Sequence, residues 1–105
     1  MLFHETLIKN TTTDPFQVTG MGFKTYVTII GTFDSETVTL HGSKDKSTYA
    51  AVYDEAAAAN VTFTASASAS NLDLPPGYYR FVSSNGAGTM DVDIYVDGRY
   101  VTTTV

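Results

Sequence analysis

The side chains that could do chemistry in this chain of 105 residues are few and widely spread. Asp91 and Asp93 alternate along one face of a strand-like segment, with Asp97 just past its end. Two carboxylates at a suitable separation act as general acid and base, but like-charged neighbours on the wet face of a strand more commonly keep it soluble and resist aggregation. The same acids offer hard oxygens to calcium, yet their spacing lacks the glycine pattern of an EF-hand loop. His4 and His41 stand in no metal-type or triad-type spacing. Serines and threonines are abundant, but no Gly-x-Ser-x-Gly elbow presents one as a nucleophile. The chain has no cysteine, which removes thiolates, disulfides and cysteine-based zinc sites. Asn85-Gly-Ala-Gly88 lacks the lysine and following helix of a phosphate-binding loop, and it reads as a hairpin turn between strands. The expectation is a protein that is not an enzyme, with no catalytic residue, metal ligand or cofactor.

What remains is recognition. Tyr26, Tyr53, Tyr78, Tyr95 and Tyr100 supply either a platform for stacking sugars or hot spots of a protein interface. Net charge is −5 with a pI near 4.6, and Lys9, Lys24, Lys44, Lys46, Arg80 and Arg99 are scattered, so no basic stripe tracks a nucleic-acid backbone. No window is long and apolar enough to span a membrane, and the start lacks the basic and apolar regions of a signal peptide, so synthesis in the cytoplasm is expected. Charged residues make up only 16%, with Thr, Ser, Ala and Gly in their place, a mixture suited to pleated strands and close surfaces.

The elements that must position these residues are strands. Residues 72–82, LDLPPGYYRFV, organise the rest. Two prolines fix φ and remove donors, Gly77 frees the bend, and alternation then places Tyr79 and Phe81 on one face and Tyr78 and Arg80 on the other. Leu74, Pro76, Gly77 and Tyr79 fit Leu-x-Pro-Gly-x-Tyr, which resembles the tyrosine corner of Greek-key sandwiches, where the Tyr bonds back to upstream backbone. The expected fold is all-β: a single antiparallel Greek-key sandwich, Ig-like or jelly-roll-like.

In chain order, residues 1–14 form an N-terminal arm or edge strand, paired at home or crossing to a neighbour, and 15–105 form the sandwich domain. Residues 23–30 alternate with Phe23, Thr25, Val27 and Ile29 on one face. Val38 and Leu40 point inward in a strand that makes a hairpin with residues 48–53. Residues 54–60 are a helical turn or loop, too short for a stable helix. Residues 61–70 alternate throughout as one extended strand, with Val61, Phe63, Ala65, Ala67 and Ala69 on one side. Residues 83–88 are a hairpin loop, Met90, Val92, Ile94 and Val96 face the core, and Asp97-Gly98 returns residues 99–105 antiparallel to the preceding strand.

The order Gly31-Thr-Phe33, a strand with Val38 and Leu40, a charged turn, and later Leu74, Pro76, Gly77, Tyr79 and Arg80 resembles small β-sandwich virion proteins of tailed bacteriophages. The resemblance covers about two thirds of the chain and departs from the family at Asp34-Ser-Glu36 and around residues 65–70. It implies that those residues are structural and that the chain is a capsid decoration (cement) protein on the capsid surface. Its partners would then be the major capsid protein and copies of itself, as a homotrimer, with no nucleic acid or membrane. Leu2, Phe3, Leu7, Ile8, Arg99, Tyr100 and Val101 are the expected intersubunit contacts. A head-tail connector or tail component is the alternative within virions, and a carbohydrate-binding or adhesin module the alternative outside them.

Overall fold

Alternating apolar residues favour strands where the period of two is sustained, and strands are the regular structure of the described residues. The computed structural model describes residues 2–8, 11–55, 57–84 and 89–103. Its strands are β1 (Leu2–Ile8), β2 (Phe16–Val18), β3 (Thr25–Thr32), β4 (Val38–Ser43), β5 (Ala50–Ala51), β6 (Tyr53–Asp54), β7 (Ala59–Asn60), β8 (Thr62–Phe63), β9 (Ala67–Leu72), β10 (Gly77–Ser83), β11 (Asp91–Asp97) and β12 (Val101–Thr103). A four-stranded sheet has the order β1-β11-β3-β9, and a six-stranded sheet has the order β12-β2-β10-β4-β5 with β8 also on β4. Every pairing is antiparallel. The protein is thus all-β, with two antiparallel sheets stacked over one core.

That core is built from the inward half of each alternation. Val27, Ile29, Val92, Ile94 and Val96 of one sheet and Phe16, Val38, Leu40 and Phe81 of the other are completely buried. Phe3 of β1 meets Phe16 of β2 with ring centroids 5.2 Å apart, and Phe16 stacks in turn on Tyr79 (5.8 Å) and Phe81 (6.0 Å), so aromatic contact ties the two layers together. The shortest dimension is 24 Å, which accommodates two sheets about 10 Å apart with side chains on both outer faces.

Leu74, Tyr79 and Phe81 are buried while Tyr78 and Arg80 are half-buried on the outer side, and the Tyr79 hydroxyl donates to the Pro75 carbonyl at 2.5 Å. Gly77 is required for space: a Cβ there would stand 2.9 Å from the Ser43 carbonyl oxygen on the adjoining β4.

Several connections differ from the expected hairpins, and for one reason. A turn signal marks a reversal of direction but does not say whether the chain returns to the same sheet or crosses to the other. β10 and β11 lie in different sheets, so the loop between them is a crossing; its Asn-Gly pair lies outside the described residues. After Asp97-Gly98 the chain likewise crosses: both sides of β11 are occupied by β1 and β3, and β12 pairs with β2, burying Val101. Residues 61–70 are two strands in different sheets, because β8 pairs with β4 and β9 with β3 across a bend at 64–66. Val61 and Phe63 are buried, whereas Ala65 and Ala67 are exposed: alanine gains too little from burial to hold its face inward. Residues 53–60 hold the two-stranded ribbon β6-β7, not a helical turn. Phe23 lies before β3 in a bend and is 51% exposed, so it does not share the inward face of Thr25, Val27 and Ile29. The β4-β5 hairpin is formed, but by the short run Ala50–Ala51.

Candidate functional site

The residues singled out in sequence fall into two groups. Phe3, Leu7 and Val101 are buried within the chain's own core, whereas Ile8 and Arg99 are exposed and Tyr100 is half-buried. Leu2 pairs by its backbone with Asp97 at the edge of the four-stranded sheet. Leu74, Pro76, Gly77 and Tyr79 sit together at the entry to β10.

Arg99 and Tyr100 are brought to one end of the molecule beside Phe23, at the start of the segment expected to form the strand over residues 23–30. Tyr100 packs edge-on to Phe23 at 5.6 Å, and the Arg99 guanidinium lies 4.9 Å from the Phe23 ring centroid. Gly20 makes room for this, since a Cβ would come within 2.9 Å of the Tyr100 ring. Tyr100 is fixed from behind, its carbonyl accepting from the Thr19 amide at 2.9 Å. Met21 and Tyr26 adjoin this cluster in sequence and are 70% and 51% exposed, so the end of the molecule presents an aromatic, cationic and thioether surface on a rigid base. The missed signal was Gly20-Met-Gly-Phe23, where two glycines flank a large apolar side chain outside any strand.

A cleft of about 540 Å³ lies between the 43–48 loop and the prolines. Val52, Pro75 and Tyr79 give it an apolar floor, and Lys44, Asp45 and Asp73 a polar rim. Tyr53, 57% exposed, also lines the neighbouring hollow. The Asp45 carboxylate accepts from the Ser47 and Thr48 amides at 2.9 Å each and from the Ser43 hydroxyl at 2.9 Å. Bonds from the Thr48 and Ser47 amides hold it down at about 2, so it serves its own loop.

The departures from the phage pattern at residues 34–36 have a structural role. Asp34 and Ser35 both have positive φ, 49° and 65°, and the Glu36 amide bonds the Phe33 carbonyl, as a tight reversal demands. The Asp34 carboxylate then accepts from the Thr89 amide (2.7 Å) and hydroxyl (3.1 Å), which lowers its pKa, and buried Glu36 accepts from the Ser84 hydroxyl at 2.8 Å. Both acids tie down the crossing from β10 to β11. Asp91, Asp93 and Asp97 lie on the outer face of β11, and His4 lies on that face too, its Nε2 3.4 Å from Asp93. His41 is on the opposite sheet, so the two histidines do not converge. Among the described residues no group of three His, Cys, Asp or Glu side chains is arranged to hold a metal ion.

The described surface comprises the aromatic end, the two outer sheet faces and the cleft lined by Tyr53 and Tyr79. No protein-family model, curated protein or solved structure matches it.

Proposed function

We propose that this chain is a structural protein of a tailed-bacteriophage virion, a decoration protein that binds the capsid shell through the major capsid protein and copies of itself, as a homotrimer. The order of Gly31, Thr32, Phe33, Val38, Leu40, Leu74, Pro76, Gly77, Tyr79 and Arg80 supports this by resemblance. The observation that carries it is the end surface, where Phe23 stays more than half exposed against Arg99 and Tyr100, with exposed Met21 and Tyr26 close in sequence. Aromatic, Met and Arg side chains are enriched where protein interfaces concentrate their energy, and here Phe23, Arg99 and Tyr100 are already packed together, so less ordering of these three remains to be done on docking. Stabilisation would come from many modest contacts that must break together. A connector or tail component would use the same surface in fewer copies.

The test is co-sedimentation of purified protein with shells that lack it. Wild-type protein should pellet with shells, and Phe23→Ala and Arg99→Ala should each weaken binding about tenfold or more while melting like wild type. Wild-type protein left in the supernatant would overturn the proposal. One observation favours a second reading, a carbohydrate-binding module: Tyr53 stands exposed at the cleft. That reading expects glycan binding that Tyr53→Ala abolishes.

A further inference from the structure

The two outer faces of the molecule carry opposite charge. On the four-stranded sheet the outward rows run Tyr26–Asp97, Thr28–Tyr95–His4, Ile30–Asp93–Thr6 and Thr32–Asp91–Ile8. Three carboxylates thus descend β11. His4 is the one basic side chain in those rows, stacked on Tyr95 with centroids 4.4 Å apart and planes 3° from parallel. Ile8, Tyr26 and Ile30 are each more than half exposed among the acids.

On the six-stranded sheet the outward residues of β10 and β4 are Tyr78, Arg80 and Val82 beside Ser43, His41 and Thr39, and Gln17 of β2 lies next to Tyr78. None of them is acidic. The Arg80 guanidinium sits 3.8 Å from the centroid of the Tyr49 ring, and Lys46 Nζ lies 5.9 Å from that of Tyr78. Asp45 borders this face with its charge turned into its own loop. Arg80 Nε is buried and meets no hydrogen-bond acceptor, the one such side-chain atom among the described residues. A guanidinium held over a ring, half-buried and with no acidic side chain in the neighbouring rows, leaves its outer N–H groups to a carboxylate brought from outside. Because the cations lie over these rings, the face offers charge and apolar stems more than bare rings for a sugar.

We infer that the two faces are halves of one contact, in which the Arg80 face of one copy docks on the Asp91–Asp93 face of a second copy. In a chain of net charge −5, the complement of this positive face is the chain's own acidic sheet. Ile8 and Ile30 would meet Val82 and the rim of Tyr78, removing exposed apolar surface from water. The contact is heterologous: it closes a ring if each step turns far enough and otherwise propagates as a stack. The inference rests on the reading that copies of the chain associate; the shell-binding test reads Phe23 and Arg99, which lie outside both faces, so loss of one activity without the other is distinguishable.

Sedimentation velocity on the full chain tests it. Wild-type protein should associate at low ionic strength and dissociate toward about 0.5 M salt, where charges more than a few Å apart are screened. Arg80→Glu alone, and Asp91→Lys with Asp93→Lys alone, should each remain monomeric, with association weakened about tenfold or more. An equimolar mixture of the two variants should associate again, because one pairing is wild type and the other has both charges reversed. Regained association also shows both variants folded, and Arg80→Gln is the milder substitution should Arg80→Glu fail to fold. Monomeric wild-type protein at low salt, Arg80→Glu associating as wild type does, or a mixture of folded variants that stays monomeric would overturn the inference. So would capture of an acidic partner by Arg80 without self-association.

Discussion

Tyr79 packs its ring against Phe16 in the core while its hydroxyl reaches the Pro75 carbonyl. Tyr79→Phe keeps the ring and orphans that carbonyl, so it should lower stability by about 1–2 kcal/mol in urea unfolding. Burial pushes the hydroxyl from 10.0 up to about 12. Since the folded state holds this proton more tightly than the unfolded chain, the associated stability is complete below about pH 10 and drains away as pH rises toward 12; Tyr79→Phe should flatten that loss. Gly31 poses a backbone constraint: with φ at 147°, a Cβ would lie 2.4 Å from the Asp91 carbonyl oxygen across the β3-β11 pair. Gly31→Ala should cost about 2 kcal/mol or more by thermal unfolding, because backbone must move on both strands. Burial first, and the Arg80 charge second, depress His41. Its neutral form is therefore favoured by folding, and stability should fall as pH drops below the ordinary value of 6.5, a slope His41→Gln removes.

At the scale of elements, the strands with large apolar residues at every second position were legible in sequence. Val38 and Leu40, Met90, Val92, Ile94 and Val96, and Tyr79 with Phe81 all face inward as their alternation requires. Residues 61–70 alternate as regularly, yet alanine at the inward positions contributes too little burial to keep one strand in one sheet. Partner choice was not legible, because it depends on which strand edges remain open after the others have paired. β1 illustrates the consequence. It is an edge strand, but Phe3 and Leu7 are buried and its register with β11 runs from Leu2 to Ile8. Deleting residues 1–14 should therefore abolish cooperative unfolding, as read by near-ultraviolet circular dichroism. A truncated chain that still melts cooperatively would show that the other strands hold the fold alone.

For the whole molecule, net charge and residue type were legible in the sequence, but the surfaces themselves needed the fold. Arg99 and Tyr100 stood out in sequence, while Phe23 joins them only because β12 crosses to β2 and brings the 98–100 turn beside it. The separation of charge onto opposite faces also depends on which sheet each strand enters. We propose that these surfaces serve attachment to a phage shell. Immunogold electron microscopy of tailed-phage particles from cells carrying the gene, with antibody to this chain, would decide it. Gold should spread over the capsid surface; particles that carry no label would contradict attachment.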